Sequence, residues 1–459
     1  MNMSYFFTII FFILMSLEIY IFFKDILSPA FIYSCALTLG IICSFIGRLY
    51  WNNVSELHIV TILILILSAV SFFLGELIAR LIMKKIGLKD KYEFKGIFNI
   101  PIWKNILEVI FIIITIGLLY SEVKRIATID GLPYSSFGEM VNKYRDLSIL
   151  NTTELIQNGQ GINIVVAQMK KVCEVLAFIN IFFLANNIIN EDKFKRINVM
   201  YILIVGLNCV LPILIAERMQ IAIYLLSFII TITILALRKM KIKEFLKEYL
   251  KKIIILIICG IVIFFLMIPI VGKKLDSNII SYISFYFGSQ IPSLDRYLQE
   301  EHEPPKYFGQ ETLRGINTVA YRLHLSQNIE PMSTEWQFFE VNSDKIYRSN
   351  VFTSAKRYYH DFGWIGIIIC QCVFGLIFSI IYLLIFKVKR PVLLIFYISY
   401  FYMIVDQIRD DLFYSNFIHV NSILRFILIW IMFIACVADF SSLKKGIIGK
   451  WKKEEQTNQ

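Results

Sequence analysis

The chain has 459 residues, of which 57% are hydrophobic and 18% are charged, and its mean hydropathy is +0.66. Soluble domains contain about 45–50% apolar and about 25% charged residues, so this composition excludes a soluble enzyme, a disordered chain and a small disulfide-stabilised secreted protein. The net charge of +11 is better explained by basic cytoplasmic loops of a membrane protein than by nucleic-acid binding, and we expect no nucleic-acid partner.

Eleven apolar segments are candidates to cross a membrane, because a spanning helix needs about 20 mostly apolar residues. In chain order they are 3–23, 27–47, 58–82, 104–121, 166–189, 197–216, 219–237, 253–271, 364–386, 392–406 and 417–438. The first segment has neither a basic n-region nor an A-x-A-like cleavage site, so we interpret it as a retained helix. The predicted fold is an all-α polytopic membrane protein with about eleven transmembrane helices.

Lysine and arginine are distributed unevenly between the connections of these segments. Twenty-four of the 46 Lys and Arg residues lie in 24–26, 83–103, 190–196, 238–252, 387–391 and 439–459. With eleven crossings, all six segments fall on the same side of the membrane, which the positive-inside rule identifies as the cytoplasm. The sequence therefore predicts an amino terminus outside the cell and a carboxyl terminus in the cytoplasm.

Two connections on the predicted outer side are long, namely 122–165 and 272–363. The second has 92 residues, and its aromatic content is too high for a disordered linker. We therefore expect a folded extracytoplasmic cap at 272–363. It separates a membrane domain of eight helices, 1–271, from the last three helices and the basic tail, 364–459.

The charged pair Glu217-Arg218 lies in a tight outer turn before a predicted spanning helix. The amino terminus of a helix favours anions, and a guanidinium can bind two phosphate oxygens at once. Arg218 is therefore a candidate phosphate ligand. The alternative is a Glu–Arg ion pair that only caps the hairpin, and the sequence does not decide between the two.

A second charged stretch, Lys356-Arg357-Tyr358-Tyr359-His360-Asp361, leads into the predicted segment 364–386. If this stretch is helical, Lys356 and His360 share one face, and Arg357 and Asp361 share another. A histidine next to a carboxylate is a candidate general base. The alternative is an interfacial belt formed by the aromatic residues Tyr358, Tyr359 and Trp364.

Further cations lie on the predicted outer side. Arg409 is flanked by Asp406 and Asp410 in the last outer connection, where a surface ion pair would contribute only about 0–1 kcal/mol. Arg314 and Arg322 lie within the predicted cap. Arg425 lies about two turns inside the last helix, so we expect it to be paired or to face a cavity.

No sequence motif for a nucleotide, a nicotinamide or zinc is present: there is no Walker loop, no GxGxxG on a strand, no HExxH and no GxSxG. The eight cysteines all lie within apolar runs and are interpreted as small buried hydrophobic residues. We therefore expect neither a cofactor nor a bound metal.

The order of these features resembles a Wzy-type oligosaccharide repeat-unit polymerase of bacterial O-antigen, capsule or exopolysaccharide assembly. The resemblance rests on the polytopic chain of this length, on Arg218 at the start of a mid-chain helix and on the large outer loop. It also rests on the residues Asn350-Val351-Phe352-Thr353, Tyr358-Tyr359-His360-Asp361-Phe362-Gly363 and Gly366. The order of features resembles that family over most of the chain, whereas the residues that match its motifs number about twenty.

The resemblance implies a GT-C-like helical glycosyltransferase of the bacterial plasma membrane that joins two glycans carried on undecaprenyl diphosphate. The non-reducing hydroxyl of the acceptor attacks the anomeric carbon of the donor, and the lipid diphosphate leaves. His360 would be the base, Asp361 its orienting group and Arg218 the first diphosphate contact. Further substrate contacts would come from Arg314, Arg322, Lys356, Arg357, Tyr358 and Arg409. Expected partners are the two lipid-linked glycans, membrane lipids, a chain-length regulator and a flippase.

Two other functions fit the same sequence. One is an O-antigen-type ligase, which transfers glycan to a different acceptor. The other is a flippase or transporter for lipid-linked oligosaccharides, although the sequence lacks the symmetric halves or paired half-helices expected of many transporters. A basic cleft under the cap would favour an enzyme, and a central cavity open to both sides would favour transport.

Overall fold

The computed structural model describes residues 3–86, 96–129, 131, 133–150, 160–190, 196–270, 278–326, 335–342 and 345–438. Its first helices are α1 (Met3–Phe23), α2 (Pro29–Gly47), α3 (Ile59–Lys85), α4 (Ile102–Ala127), α5 (Phe137–Leu150), α6 (Ile164–Asn190), α7 (Arg196–Asn208), α8 (Val210–Leu214), α9 (Met219–Leu237) and α10 (Ile242–Ile270). They are followed by α11 (Ile279–Gly288), α12 (Gln290–Tyr297), α13 (Arg314–Arg322), β1 (Gln337–Asn342), β2 (Lys345–Ser349), α14 (Ser354–Val388), α15 (Pro391–Tyr400), α16 (Tyr402–Asp406), a π-helical turn (Phe413–Phe417) and α17 (Val420–Val437). The all-α polytopic architecture predicted from the sequence is confirmed.

Ten helices within the described ranges are long and apolar enough to cross a membrane. They correspond to ten of the eleven predicted segments, with α7 and α8 together forming one of them. The remaining segment, 392–406, forms the two short helices α15 and α16. The chain is therefore a multi-pass membrane protein, and its described residues contain ten full-length spans and one shorter, broken segment.

Two spans begin well before their apolar stretches. The predicted segment at 364 belongs to α14, which begins at Ser354, and the predicted segment at 253 belongs to α10, which begins at Ile242. Lysine and glutamate are good helix formers, so the helix at Ile242 continues through a basic stretch. Hydropathy predicts the part of a helix that meets lipid, and it does not predict how far the helix extends beyond the bilayer.

Polar contacts bring the ends of many helices together at one end of the bundle. Hydrogen bonds join Arg80 with Asp25, Lys387 with Ile86, Arg238 with Ile385, Lys239 with Asn190, and Lys104 with Ala438. These residues lie in or beside the six lysine- and arginine-rich segments of the sequence. We call this end the basic face and the opposite end, which carries the described residues of 278–353, the cap face.

The segment 391–406 joins the two faces. Pro391 follows Lys387 at the basic face, whereas Gln407 accepts a hydrogen bond from the backbone N–H of Ser354 at the cap face, 2.9 Å away. The short helices α15 and α16 therefore form an eleventh crossing of the bundle. This agrees with the odd number of crossings on which the predicted topology depends.

The cap face contains folded structure. Strands β1 and β2 form an antiparallel hairpin in which Gln337 pairs with Ser349. Phe339 on β1 packs against Trp51, with ring centroids 5.1 Å apart. Arg296 of α12 donates to the backbone oxygen of Asn53 at 2.6 Å. The hairpin and α12 are thereby attached to the connection between α2 and α3.

Helices α3 and α14 pack at the centre of the bundle with their backbones in contact. A Cβ atom added at Gly75 would overlap the backbone of Cys372, and one added at Gly375 would overlap the backbone of Phe72. Small residues at a membrane helix interface permit such close packing. This pair provides a rigid support for the cap-face segment of α14.

Gly363 divides α14 into two parts. Its φ of 63° and ψ of −152° interrupt an otherwise helical run, and this region of φ and ψ is accessible almost only to glycine. The residues from Ser354 to Phe362 form a short helix at the cap face, and the residues after Gly363 form the span. The charged stretch of the sequence lies on the short part, which confirms that it is helical.

Candidate functional site

A cavity of about 790 Å³ lies at the cap face between the beginnings of α6 and α17, with α13 above it. Its charged lining residues are the cations Lys170, Lys171, Arg314, Arg357 and Arg425 and the acids Glu174, Glu217 and Asp410. We call it the cap cavity. None of the described residues that line it lies at the basic face.

The wall formed by α6 and α17 is a continuous ionic network. Lys170 Nζ lies 2.9 Å from a Glu217 carboxylate oxygen and 3.3 Å from one of Glu174. Arg425 Nη2 lies 2.8 Å from the other oxygen of Glu174, and its guanidinium stacks on the Tyr400 ring at 5.2 Å. Ion pairs near hydrocarbon are costly unless well paired, and here each buried charge has a partner that fixes its position.

Arg357 forms the opposite wall. Its Nε and Nη2 donate to the two carboxylate oxygens of Asp410 at 2.6 and 2.7 Å. Its Nη1 donates to the backbone oxygen of Glu311 at 3.3 Å. This two-pronged arrangement with a carboxylate is the strongest geometry available to arginine. Arg357 is therefore held rigidly at the edge of the cavity.

Counted over the described lining residues, the cap cavity carries more positive than negative charge, with five cations against three acids. Lys171 is exposed and makes no ion pair with any residue that the structure describes. Gln168 on α6 and Leu424 on α17 also line the cavity and are both exposed, so the cavity opens at the flank of the bundle between these helices. An anion reaching the site from the membrane surface would meet Lys171 first.

A second charged group, the cap cluster, consists of Tyr297, Glu311, Glu335, Lys356 and His360. Lys356 Nζ donates to both carboxylate oxygens of Glu311 at 2.8 and 3.0 Å and to Glu335 at 3.0 Å. Lys356 is 4% exposed. Because it is buried and paired with two carboxylates, it is not available to a substrate in this conformation.

His360 belongs to the cap cluster and does not line the cap cavity. A hydrogen bond of 2.8 Å joins its Nδ1 to the hydroxyl of Tyr297, and its Nε2 lies 3.9 Å from Glu311 Oε1. Burial raises the pKa of Tyr297, and the charges of Glu311 and Glu335 raise it further, so Tyr297 remains a neutral phenol. The ring of His360 is oriented by Tyr297 and not by Asp361.

The side chain of Asp361 accepts hydrogen bonds from backbone N–H groups. Its carboxylate accepts the N–H of Thr312 at 2.6 Å and that of Glu311 at 3.1 and 3.2 Å. It therefore attaches the loop before α13 to the short helical part of α14. This contact fixes Glu311, which in turn contacts Lys356, so Asp361 supports the cap cluster through the backbone.

Arg218 lies outside the lining of the cap cavity and does not pair with Glu217. It is 6% exposed, its Nη2 donates to the hydroxyl of Tyr286, and its guanidinium lies 5.1 Å from the Phe264 ring. Its Nη1 is buried without a hydrogen-bond partner among the described residues. Arg218 therefore joins the start of α9 to α10 and α11 through aromatic contacts.

The remaining predicted site residues have separate environments. Arg409 Nη1 contacts Asp406 at 3.3 Å. The Tyr358 hydroxyl donates to Asp411 at 2.8 Å and is fully buried. Arg314 lines the cap cavity. Arg322 ends α13, and its side chain lies outside the described part of the structure.

Of the predicted residues, the cap cavity brings together Arg314 and Arg357, and the cap cluster brings together Lys356 and His360. The cavity residues Lys170, Lys171, Glu174 and Glu217 were not predicted as a site. For Lys170, Lys171 and Glu174 the signal in the sequence was a group of charges at the start of an otherwise apolar segment, which is costly in a spanning helix and tends to mark function. Glu217 lies in the turn before α9.

No metal site is found in the portion of the chain that the structure describes: it contains no group of three or more His, Cys, Asp or Glu residues that could hold an ion. None of the known protein-family models, curated proteins or solved structures compared with this chain matches it.

Proposed function

We propose that this protein is a glycosyltransferase that polymerises repeat units carried on undecaprenyl diphosphate. The observation that carries the proposal is the cap cavity, in which five cations face three acids at the end of a membrane bundle. A polyprenyl diphosphate needs a cationic site at the membrane surface that its lipid can reach from the side. The opening between Gln168 and Leu424 provides such access.

In the proposed reaction, the acceptor hydroxyl attacks the anomeric carbon of the donor glycan, and the bond from that carbon to the lipid diphosphate breaks. Negative charge develops on the leaving diphosphate. Arg357 and Arg425 are each fixed by a carboxylate, so they are oriented before the charge develops, which is how preorganised donors lower a barrier. Lys171 and Arg314 complete the proposed diphosphate site.

The hydroxyl proton passes to a base that faces the substrate. The Glu217 side chain lines the cavity and is 53% exposed, the largest exposure among the cavity carboxylates in the ion pairs above. We therefore favour Glu217 over His360 as the proton acceptor. His360 then acts as a positioning residue that holds Tyr297 and Glu311. The alternative assignment, with His360 as the base, is tested below by comparing glutamine variants at positions 217 and 360.

The proposal sets the basic face in the cytoplasm and the cap face outside the bacterial plasma membrane. Its support is the concentration of lysine and arginine in the six segments near the basic face. The cap cavity then meets the outer leaflet, where lipid-linked repeat units are displayed after export. A flippase would supply both substrates, and a chain-length regulator would limit the product.

A ligase would use the same donor site with another acceptor. A flippase would need a path that reaches both faces, and the part of the cap cavity lining that the structure describes includes no residue of the basic face. Deletion of the gene followed by sizing of surface glycan separates the three functions. If the protein is a polymerase, we expect the deletion strain to carry single repeat units on the cell surface. Full-length glycan that stays lipid-linked would indicate a ligase, and the absence of exported glycan would indicate a flippase.

The assignment of the residues is tested with purified protein and synthetic lipid-linked repeat units. A general base contributes about 10²–10⁴-fold to the rate, so Glu217→Gln should lower turnover by that factor and His360→Gln by only a few-fold. Arg348→Gln is the matched control, because Arg348 is an exposed cation of the cap face outside the cavity. The reverse pattern, with Gln tolerated at 217 and not at 360, would assign the base to His360.

A further inference from the structure

A second cavity, of about 550 Å³, lies on the flank of the bundle between α15 and α17. It is lined by Arg390, Pro391, Val392, Leu393, Phe426 and Trp430. Trp430 is 53% exposed, so the cavity is an open groove on the surface that faces lipid. We call it the flank groove. Its walls are apolar except at Arg390.

The groove continues into a cationic recess. Pro391 also lines a small neighbouring cavity together with Arg238, Lys239 and Lys389. Among the residues that the structure describes, no acidic residue lines either cavity. Four cations therefore surround one end of an apolar groove, which is the complement of a molecule with an anionic head and long apolar chains.

The crossing that begins next to Arg390 is short. The crossing 391–406 has about 16 residues and a length of roughly 24 Å, which is less than the hydrocarbon thickness of about 30 Å. Arg390 shares the groove with Trp430, and roughly 10 Å of α17 continues beyond Trp430 to Val437. Arg390 therefore lies at the basic face, where α6, α9 and α14 end, while α17 continues past it.

Arg390 is exposed and makes no ion pair with any described residue. A cation near hydrocarbon needs a counter-ion or access to the interface. A lipid phosphate of the leaflet that meets the basic face supplies the counter-ion, and local thinning of the bilayer around a short helix brings the headgroup to it.

We propose that the flank groove binds one anionic phospholipid of the leaflet that meets the basic face. Arg390 and Lys389 contact its phosphate, and an acyl chain lies along Leu393, Phe426 and Trp430. The bound lipid would hold the beginning of α15, whose far end leads to Asp410 beside the cap cavity. This inference does not depend on the proposed polymerase activity.

The test is native mass spectrometry of the purified full-length protein, titrated in detergent with phosphatidylglycerol or phosphatidylcholine. We expect one phosphatidylglycerol to bind with clear preference. Each lysine or arginine near an anionic lipid contributes about fivefold, so the double variant Lys389→Gln with Arg390→Gln should bind about 25-fold more weakly. The control Lys84→Gln with Lys85→Gln removes two exposed cations of the same face and should bind as wild type does.

The single variant Arg390→Gln alters one exposed side chain and should weaken binding about fivefold, so the test stands even if the double variant folds poorly. Equal binding of the two lipids would overturn the proposal, as would unchanged binding by Arg390→Gln. Full competition by millimolar inorganic phosphate would also overturn it, because the site would then recognise a free anion and not a lipid.

Discussion

Arg218 contacts aromatic rings of α10 and α11 and not the neighbouring Glu217, which pairs with Lys170. The sequence left two roles open for Arg218, a phosphate ligand and a hairpin ion pair. Neither role includes a contact with these aromatic rings. An aromatic contact with a cation at a desolvated site is worth about 2 kcal/mol, and a lysine cannot reproduce the planar stacking of a guanidinium.

We therefore expect Arg218→Lys to lower the thermal stability of the detergent-solubilised protein, by about 1–2 kcal/mol, while the folded protein keeps the turnover proposed for it. The two readouts are a melting curve and an assay on lipid-linked repeat units. Loss of turnover with an unchanged melting temperature would instead support the diphosphate contact that the resemblance implies for Arg218.

The environment of the Asp411 carboxyl leads us to predict that the stability of the protein depends on pH. Its Oδ1 accepts hydrogen bonds from Tyr358 and from the backbone N–H groups of Phe413 and Tyr414, whereas Oδ2 is buried without a partner among the described residues. Burial raises the pKa of Asp411 from 3.8 to about 6, although the hydrogen bond from Tyr358 and the charge of Arg357 lower it in part. The folded state therefore holds the Asp411 proton to higher pH than the unfolded state does.

For an acid with a raised pKa, the contribution to stability is present below about pH 4 and is lost as the pH rises through about 6. We expect the melting temperature to contain a component that falls between these values. In Asp411→Asn this component should be absent, because asparagine does not titrate. Parallel pH profiles for the variant and the wild type would show that another group is responsible.

At the scale of secondary-structure elements, the apolar segments were predictable because hydropathy is a local property of about 20 residues. The start of α14 at Ser354 could be stated only conditionally, since it depends on contacts at the cap face such as the hydrogen bond from the Ser354 N–H to Gln407. The division of 392–406 into α15 and α16 was not predicted. Lys356 illustrates the limit for the site. Its position on a helix face was predictable, but its partner Glu311 lies 45 positions away, and no local pattern specifies that pairing.

Gly363 permits a prediction about the junction within α14. A Cβ atom at this position would meet nothing within 4 Å, so Gly363→Ala introduces no steric clash with neighbouring groups. Its φ of 63° and ψ of −152° are nevertheless strained for alanine, and the expected loss of stability is about 1–3 kcal/mol.

Gly117→Ala is the matched control, because Gly117 is also in open space but lies within the regular helix α4. Alanine is the better helix former by about 1 kcal/mol, so this variant should be neutral or slightly stabilised. Thermal unfolding of both variants distinguishes the two effects. Equal melting temperatures would mean that the kink at Gly363 relaxes without cost.

At the scale of the whole molecule, the proposed orientation can be tested with single cysteines and a membrane-impermeant maleimide applied to intact cells. A cysteine at Glu303, which is exposed at the cap face, should be labelled. A cysteine at Lys247, which is exposed on the first turns of α10, should be labelled only after lysis. The reverse pattern would contradict both the orientation and an outer-leaflet reaction.

The contact between α3 and α14 joins glycines that lie about 300 positions apart in the chain. Ribosomes add about 5–20 residues per second, so α3 is in the membrane for roughly 15–60 s before its partner is made. Glu76 and Arg80 already have partners, Ser28 and Asp25, in the connection between the first two helices during this interval. Newly made α1–α3 can therefore exist in the membrane as a unit with its charges paired. The face of α3 at Gly75, which later packs against α14, is exposed to lipid during this time. A nascent chain that stops before α14 is inserted but incomplete, so the central packing of this protein is completed only near the end of its synthesis.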